Sequence, residues 1–141
     1  MKLEQQVVSL ELAQKLKDLG VKQEGEFRWR FTNDFSIKKG FKFEKEVQLK
    51  PVNPHDTHFG VYSYISAFTV AELGEMLPKE ITVSGGTFAQ LNCRRDGNGY
   101  WYISYREQAT MRMIADIGAD TEADARAKMF VYLLENNLII E

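Results

Sequence analysis

The 141-residue chain holds one cysteine and three prolines, and none of its apolar runs approaches the roughly 18 residues that cross a bilayer. A lone Cys93 closes no internal disulfide, which favours a reducing compartment. A basic excess is also missing. Eighteen Lys and Arg against twenty Asp and Glu leave a formal charge of −2, which argues against a dedicated DNA-binding domain. The first residues, MKLEQQVVSL, are interrupted by Glu4, Gln5 and Gln6 and carry no secretory apolar core, so a cytoplasmic protein without a membrane partner is expected. No repeat, low-complexity tract or long linker divides the chain, which reads as one domain over 1–141 with at most two sub-layers, 1–67 and 68–141.

What is present suits a globular domain: 44% of the residues are hydrophobic and 27% charged. A helix is expected from about Ser9 to Leu19, with the Ser9 hydroxyl as N-cap, Leu12, Ala13, Leu16 and Leu19 on one stripe, and Gly20 after its end. Two segments then alternate with period two. In Glu26–Thr32, Phe27, Trp29 and Phe31 alternate with Arg28 and Arg30. In Phe41–Lys50, Phe41, Phe43, Val47 and Leu49 alternate with polar residues, broken only at Lys45, which marks an edge or bulge. Thr32–Gly40 reads as a hairpin loop, 51–56 as a turn and Phe59–Ile65 as a further strand.

Thr69-Val70-Ala71-Glu72 matches a capping box, Phe68 and Leu73 are placed for a hydrophobic staple, and Pro78 ends that helix near Leu77. Ile81–Val83 leads through Gly85-Gly86 into a strand expected at Thr87–Cys93, and two more strands are expected at Tyr100–Arg106 and Met111–Ala115, with Asp96-Gly97-Asn98-Gly99 as a hairpin turn. A last helix over Glu122–Asn136 is capped by Asp120 or Thr121. It carries Ala123, Ala127, Phe130 and Leu134 as a buried stripe, has i,i+4 pairs Glu122–Arg126 and Asp124–Lys128, and ends at Asn137. The alternating strands predict an α+β fold, a predominantly antiparallel sheet covered by about three helices. Whether 21–65 joins the same sheet as 81–115 is open. The 17 aromatic residues, dense in 27–43 and 59–68, exceed what three short helices cover, which points either to a homodimer or to 21–65 folding back to bury the rings within one protomer.

Two groups of residues are candidates for chemistry. His55, Asp56 and His58 are metal ligands by type, zinc first, but their spacing is no established signature, and a polar turn whose side chains cap backbone groups is the ordinary reading. Around the predicted hairpin, Arg94, Arg95, Tyr100, Tyr102 and Arg106, with Arg112 near, combine basic and aromatic groups as single-stranded nucleic-acid sites do. Alternation puts Trp101, Ile103 and Tyr105 on one face and Tyr100, Tyr102 and Ser104 on the other, and residues 71–141 carry 7 basic against 11 acidic groups, which counts against a phosphate track. Gly85-Gly86-Thr87 lacks the lysine of a phosphate-binding loop, no nucleophile elbow occurs, and Cys93 reads as a buried, inert thiol. No cofactor is implied, and catalysis is the minority reading.

Thr69-Val70-Ala71-Glu72-Leu73-Gly74-Glu75-Met76-Leu77-Pro78 resembles a TVAELGExLP motif. Residues 120–129 (DTEADARAKM), followed by Tyr132-Leu133-Leu134-Glu135-Asn136, resemble a second one. Together, behind a VSLELAQKLKDLG helix, they resemble a family of small phage- and prophage-borne proteins. The resemblance implies a bacterial or phage setting and a fold, and it brings no catalytic residue. The order helix, three strands, helix over 69–136 also resembles the double-stranded RNA-binding topology. There a lysine cluster opens the last helix; here Thr121-Glu122-Ala123-Asp124 is acidic and repels phosphate. The expected function is that of a non-enzymatic accessory protein acting through protein contact or self-association; the alternatives are nucleic-acid binding through the 94–112 hairpin and, third, a metal-dependent enzyme at His55, Asp56 and His58.

Overall fold

The computed structural model describes residues 2–32, 47–52, 62–83 and 85–139. Its elements are α1 (Leu3–Gln6), α2 (Leu10–Asp18), β1 (Phe27–Thr32), β2 (Val47–Pro51), β3 (Tyr62–Ser66), α3 (Val70–Met76), β4 (Glu80–Thr82), β5 (Phe88–Arg95), β6 (Trp101–Glu107), β7 (Met113–Ala119) and α4 (Glu122–Glu135). The strands form two antiparallel sheets, β2-β1-β3 and β4-β5-β6-β7, so the fold is α+β and β1, β2 and β3 build a sheet apart from β4–β7. No helix among the described residues is long and apolar enough to cross a membrane.

Helix α4 lies against β6 and β7 and is flanked by α1, α2 and α3. That position explains its burial. Ala123, Ala125, Ala127, Met129, Phe130, Val131 and Leu133 are all buried, while Leu134, assigned to the stripe by periodicity, is only half-buried. A helix covered on several sides buries more than one stripe. The alanines of its first two turns leave room for the neighbouring backbones. Thr121 is the N-cap, accepting from the Asp124 amide at 3.1 Å, and Asn137 takes the left-handed conformation past the end (φ 56°).

The capping box of α3 is formed: Thr69 Oγ1 accepts from the Glu72 amide at 3.2 Å and Glu72 Oε1 from the Thr69 amide at 3.0 Å. The second Glu72 oxygen accepts from the Glu26 amide at 3.1 Å, so the cap also ties α3 to the entrance of β1. Helix α2 differs from expectation. Ser9 stands at its N-cap without a side-chain capping bond; its amide donates instead to Asp124 Oδ1 at 2.7 Å. Its fully buried side chains are Leu10, Ala13 and Leu16, with Leu12 and Leu19 half-buried. Gly20, at φ +91°, ends it as expected.

One buried cluster runs from Val7 and Leu10 through Trp29, Ile65, Phe68 and Leu73 to Tyr105, Phe130 and Leu133, joining both sheets to the helices. Trp29 is 2% exposed, and its indole donates to the Val8 carbonyl at 2.9 Å. Trp29, Phe31 and Phe68 are thus buried within the protomer, which removes them from the aromatic surplus that pointed to a dimer. The single turn α1 has no counterpart in the sequence reading, because four residues are too few for periodicity to register. Strand β7 runs to Ala119, four residues beyond the expected end at Ala115. Asp116 and Gly118 are poor strand formers taken in by the ladder to β6, through the pairs Ser104–Asp116 and Tyr102–Gly118. Four strands, not three, therefore separate α3 from α4.

Candidate functional site

Alternation divides the four-stranded sheet into two unlike faces. Ala89, Ile103, Tyr105, Ala115 and Ala119 are buried on the side of α4. The intervening β5 positions, Phe88, Gln90, Asn92 and Arg94, are exposed. Register sets Arg94, Tyr102 and Gly118 in one row, Asn92, Ser104 and Asp116 in the next, and Gln90, Arg106 and Met113 in a third, with a bulge at Tyr105/Arg106. Four of the five hairpin candidates, Arg94, Tyr100, Tyr102 and Arg106, thus share the open face.

The fifth does not. Arg95 follows Arg94 in an extended strand and faces the other way, over the Trp101 ring at 5.4 Å. There it lines a cleft of about 170 Å³ with Val70, Trp101, Thr121 and Glu122. Consecutive strand residues point to opposite faces, so the separation of Arg94 from Arg95 was available from alternation alone. Arg112 is also elsewhere: it donates at 3.3 Å to Glu107, a buried carboxylate that also receives Thr87 and Thr110 and clasps the turn before β7.

On the open face the aromatic and basic groups serve one another. The Arg94 guanidinium stacks 4.2 Å from the Tyr102 ring centre and pairs with Asp116 at 2.8 Å. Tyr100 and Tyr102 meet edge to face, with centres 5.2 Å apart, and lie across Gly118, where a Cβ would overlap the Tyr100 ring. The rings are a lid over a glycine rather than a free stacking platform. The Asp116 carboxylate neutralises the cation that would hold a phosphate.

The residues the sequence reading passed over lie at the far end of this face. Phe88 (54% exposed), Met111 (61%) and Met113 (37%) are large apolar side chains left in water. Phe88 precedes Gln90 on the same face, and in the row Gln90–Arg106–Met113 the central strand's Arg106 lies between β5 and Met113. The signal was Phe88 in phase with Gln90, Asn92 and Arg94, an apolar residue on the polar side of its strand.

Cys93 is half-buried, not fully buried as expected. Its thiol donates to Glu122 Oε1 at 3.5 Å, and Glu122 in turn receives Arg126 at 3.2 Å. Burial first, and then the Glu122 carboxylate, push the Cys93 thiol above its ordinary value, so it stays protonated and weakly nucleophilic at neutral pH. Burial likewise pushes Tyr105 up, and its hydroxyl donates to the Pro78 carbonyl at 2.6 Å. Asp124 is raised by burial against the opposing pull of its Ser9 hydrogen bonds. Each of these groups holds two elements together. His55, Asp56 and His58 lie outside the described residues, and among the described residues no cluster of three His, Cys, Asp or Glu is arranged for a metal ion. No family model, no curated protein and no solved structure matches the chain.

Proposed function

We propose that the chain is a non-enzymatic accessory protein of phage or prophage origin, working in the bacterial cytoplasm through protein contact, first of all with a second copy of itself. The observation that supports this reading is the exposure of Phe88 and Met113 on the second sheet and of Met111 just before β7. Large apolar side chains gathered on one surface mark interaction sites, and symmetric pairing is the commonest way to cover them. The Arg94–Asp116 pair and the tyrosines beside them supply a polar rim of mixed charge. The titratable groups with displaced protonation, Cys93, Tyr105 and Asp124, are engaged in packing contacts.

Light scattering on the full chain at tens of micromolar tests the proposal. The expected mass is twice 16.3 kDa. Phe88→Ser combined with Met113→Ser is expected to return it to one protomer with an unchanged far-UV spectrum. A wild-type mass of one protomer overturns self-association, and so does a double variant that stays dimeric. The nucleic-acid reading of 94–112 has less support, since Arg95 leaves the face and Asp116 neutralises Arg94.

A further inference from the structure

One row of the second sheet crosses all four of its strands: Glu80 on β4, Gln90 on β5, Arg106 on β6 and Met113 on β7. Residues directly opposite one another in antiparallel strands carry their side chains on the same side, so the whole row belongs to the open face. The pair Thr82–Phe88 forms the row beside it. Glu80 and Gln90 are exposed and Arg106 is half-buried. The row therefore holds one carboxylate and one guanidinium, two strand spacings or about 10 Å apart. Neither is used within the chain. Among the described residues Glu80 and Arg106 enter no ion pair and no side-chain hydrogen bond, unlike Arg94, which has Asp116 beside it. Arg106 Nε is moreover shut off from water without a hydrogen-bond partner. A cation already partly desolvated gains more from a carboxylate than a fully wet one does.

This arrangement is complementary to itself. A two-fold axis laid along β5, in the plane between two copies, exchanges the strands on either side, so that β4 of one copy lies over β6 of the other. Glu80 then faces the partner's Arg106, and Arg106 faces the partner's Glu80, as a two-fold interface requires. Sheets packed face to face stand about 10 Å apart, a gap that arginine and glutamate bridge from opposite sides. Phe88, on the axis strand, meets its own copy, and Met113 comes to the margin beside the partner's β4. Arg94 also lies on β5, but its charge is neutralised by Asp116. We infer that the chain pairs with a second copy through the open face of the second sheet, in a face-to-face dimer registered by two reciprocal Glu80–Arg106 ion pairs around a Phe88–Phe88 contact. This rests on the self-association proposed above and names the residues that set its geometry. A foreign acidic partner would satisfy Arg106 but meet Glu80 as a like charge, which is why the second copy is favoured.

Sedimentation velocity of the full chain over a concentration series tests the inference. Arg106→Gln should raise the dimer dissociation constant by about tenfold, the loss of two half-exposed ion pairs. Arg106→Glu and Glu80→Arg each set like charges face to face twice, and each alone should sediment as a single protomer. Mixed in equal amounts, these two chains should combine into a dimer, because both contacts between them regain opposite charges. The mixture also shows that each chain is folded, since a misfolded chain would not recover the interface, and far-UV spectra matching the wild type check the same point. A wild-type dimer that survives either reversal, reversed chains that stay apart on mixing, or an unchanged constant in Arg106→Gln overturns the inference and leaves self-association standing. A wild type that stays a single protomer overturns self-association and this inference with it.

Discussion

Asp124 is the joint whose removal tests the architecture most directly. Its carboxylate receives the Ser9 amide at 2.7 Å, fixing the start of α2 to the first turn of α4, while Thr121 caps the Asp124 amide from below. Asp124→Ala leaves the Ser9 amide without its acceptor. A hydrogen bond to a charged group contributes about 1.5–3 kcal/mol. An acid in the first turn of a helix adds about 0.3–1 kcal/mol, and alanine returns about 0.6 kcal/mol through helix propensity. The expected loss is therefore about 2 kcal/mol, or about 4–8 °C in Tm for a chain of this length. Asp124→Asn keeps an oxygen in place and removes a buried charge, so its cost at pH 7 should stay below about 1 kcal/mol. Burial raises the Asp124 carboxyl, so the folded chain holds this proton more readily than the unfolded chain does. Its contribution to stability therefore falls as pH rises through the window above the ordinary carboxylate value. Relative to Asp124→Asn, the wild type should gain as pH is lowered from 7 to about 4. Urea unfolding of the three proteins at both pH values measures this. Equal losses in the Ala and Asn variants, or a difference between wild type and Asn that moves the other way with pH, would refute the reasoning.

Gly118→Ala should cost about 1–3 kcal/mol in urea unfolding, because its Cβ overlaps the Tyr100 ring, and Tyr100→Ala in the same chain should recover part of the loss; additive losses would place the clash elsewhere. Cys93 should react with a maleimide at pH 7 more slowly than a free thiol, and Glu122→Gln should speed it by removing the acceptor and its charge. A wild-type rate equal to that of free cysteine would contradict the raised thiol.

The elements legible in the sequence are those set by chemistry within a few residues. The Thr69–Glu72 box, the Thr121 cap, Gly20 and Asn137 at helix ends, and the division of β6 between Tyr105 and Tyr102 are all local, and all stand as read. What the sequence concealed depends on partners far along the chain. Ser9 has every local reason to cap its own helix, yet a carboxylate 115 residues away takes its amide. Asp116 and Gly118 have weak strand preference and are carried into β7 by pairing with β6. That β1–β3 and β4–β7 form separate sheets is likewise a matter of pairing, to which period-two alternation is blind.

The same distinction explains why the two sequence motifs point to a fold and not to an activity. In the first, Thr69 and Glu72 build the cap, Glu72 reaches the Glu26 amide, and the Pro78 carbonyl receives Tyr105. In the second, Thr121 caps α4, Glu122 gathers Cys93 and Arg126, Asp124 holds Ser9, and the alanines admit the neighbouring elements. Several polar groups of these motifs, Glu72, Glu122 and Asp124 among them, join one layer to another. The exposed apolar side chains lie outside the motifs, at Phe88 and Met113 on the second sheet and at Met111 just before β7. An exposed side chain there contributes little to folding, so its chemistry is free to be set by what it meets. The described strands of the two sheets differ in composition: β5–β7 leave Phe88 and Met113 exposed beside the Arg94–Asp116 pair, while β1–β3 carry Arg28, Arg30 and Lys50. One chain can therefore present two chemically different surfaces on a single core.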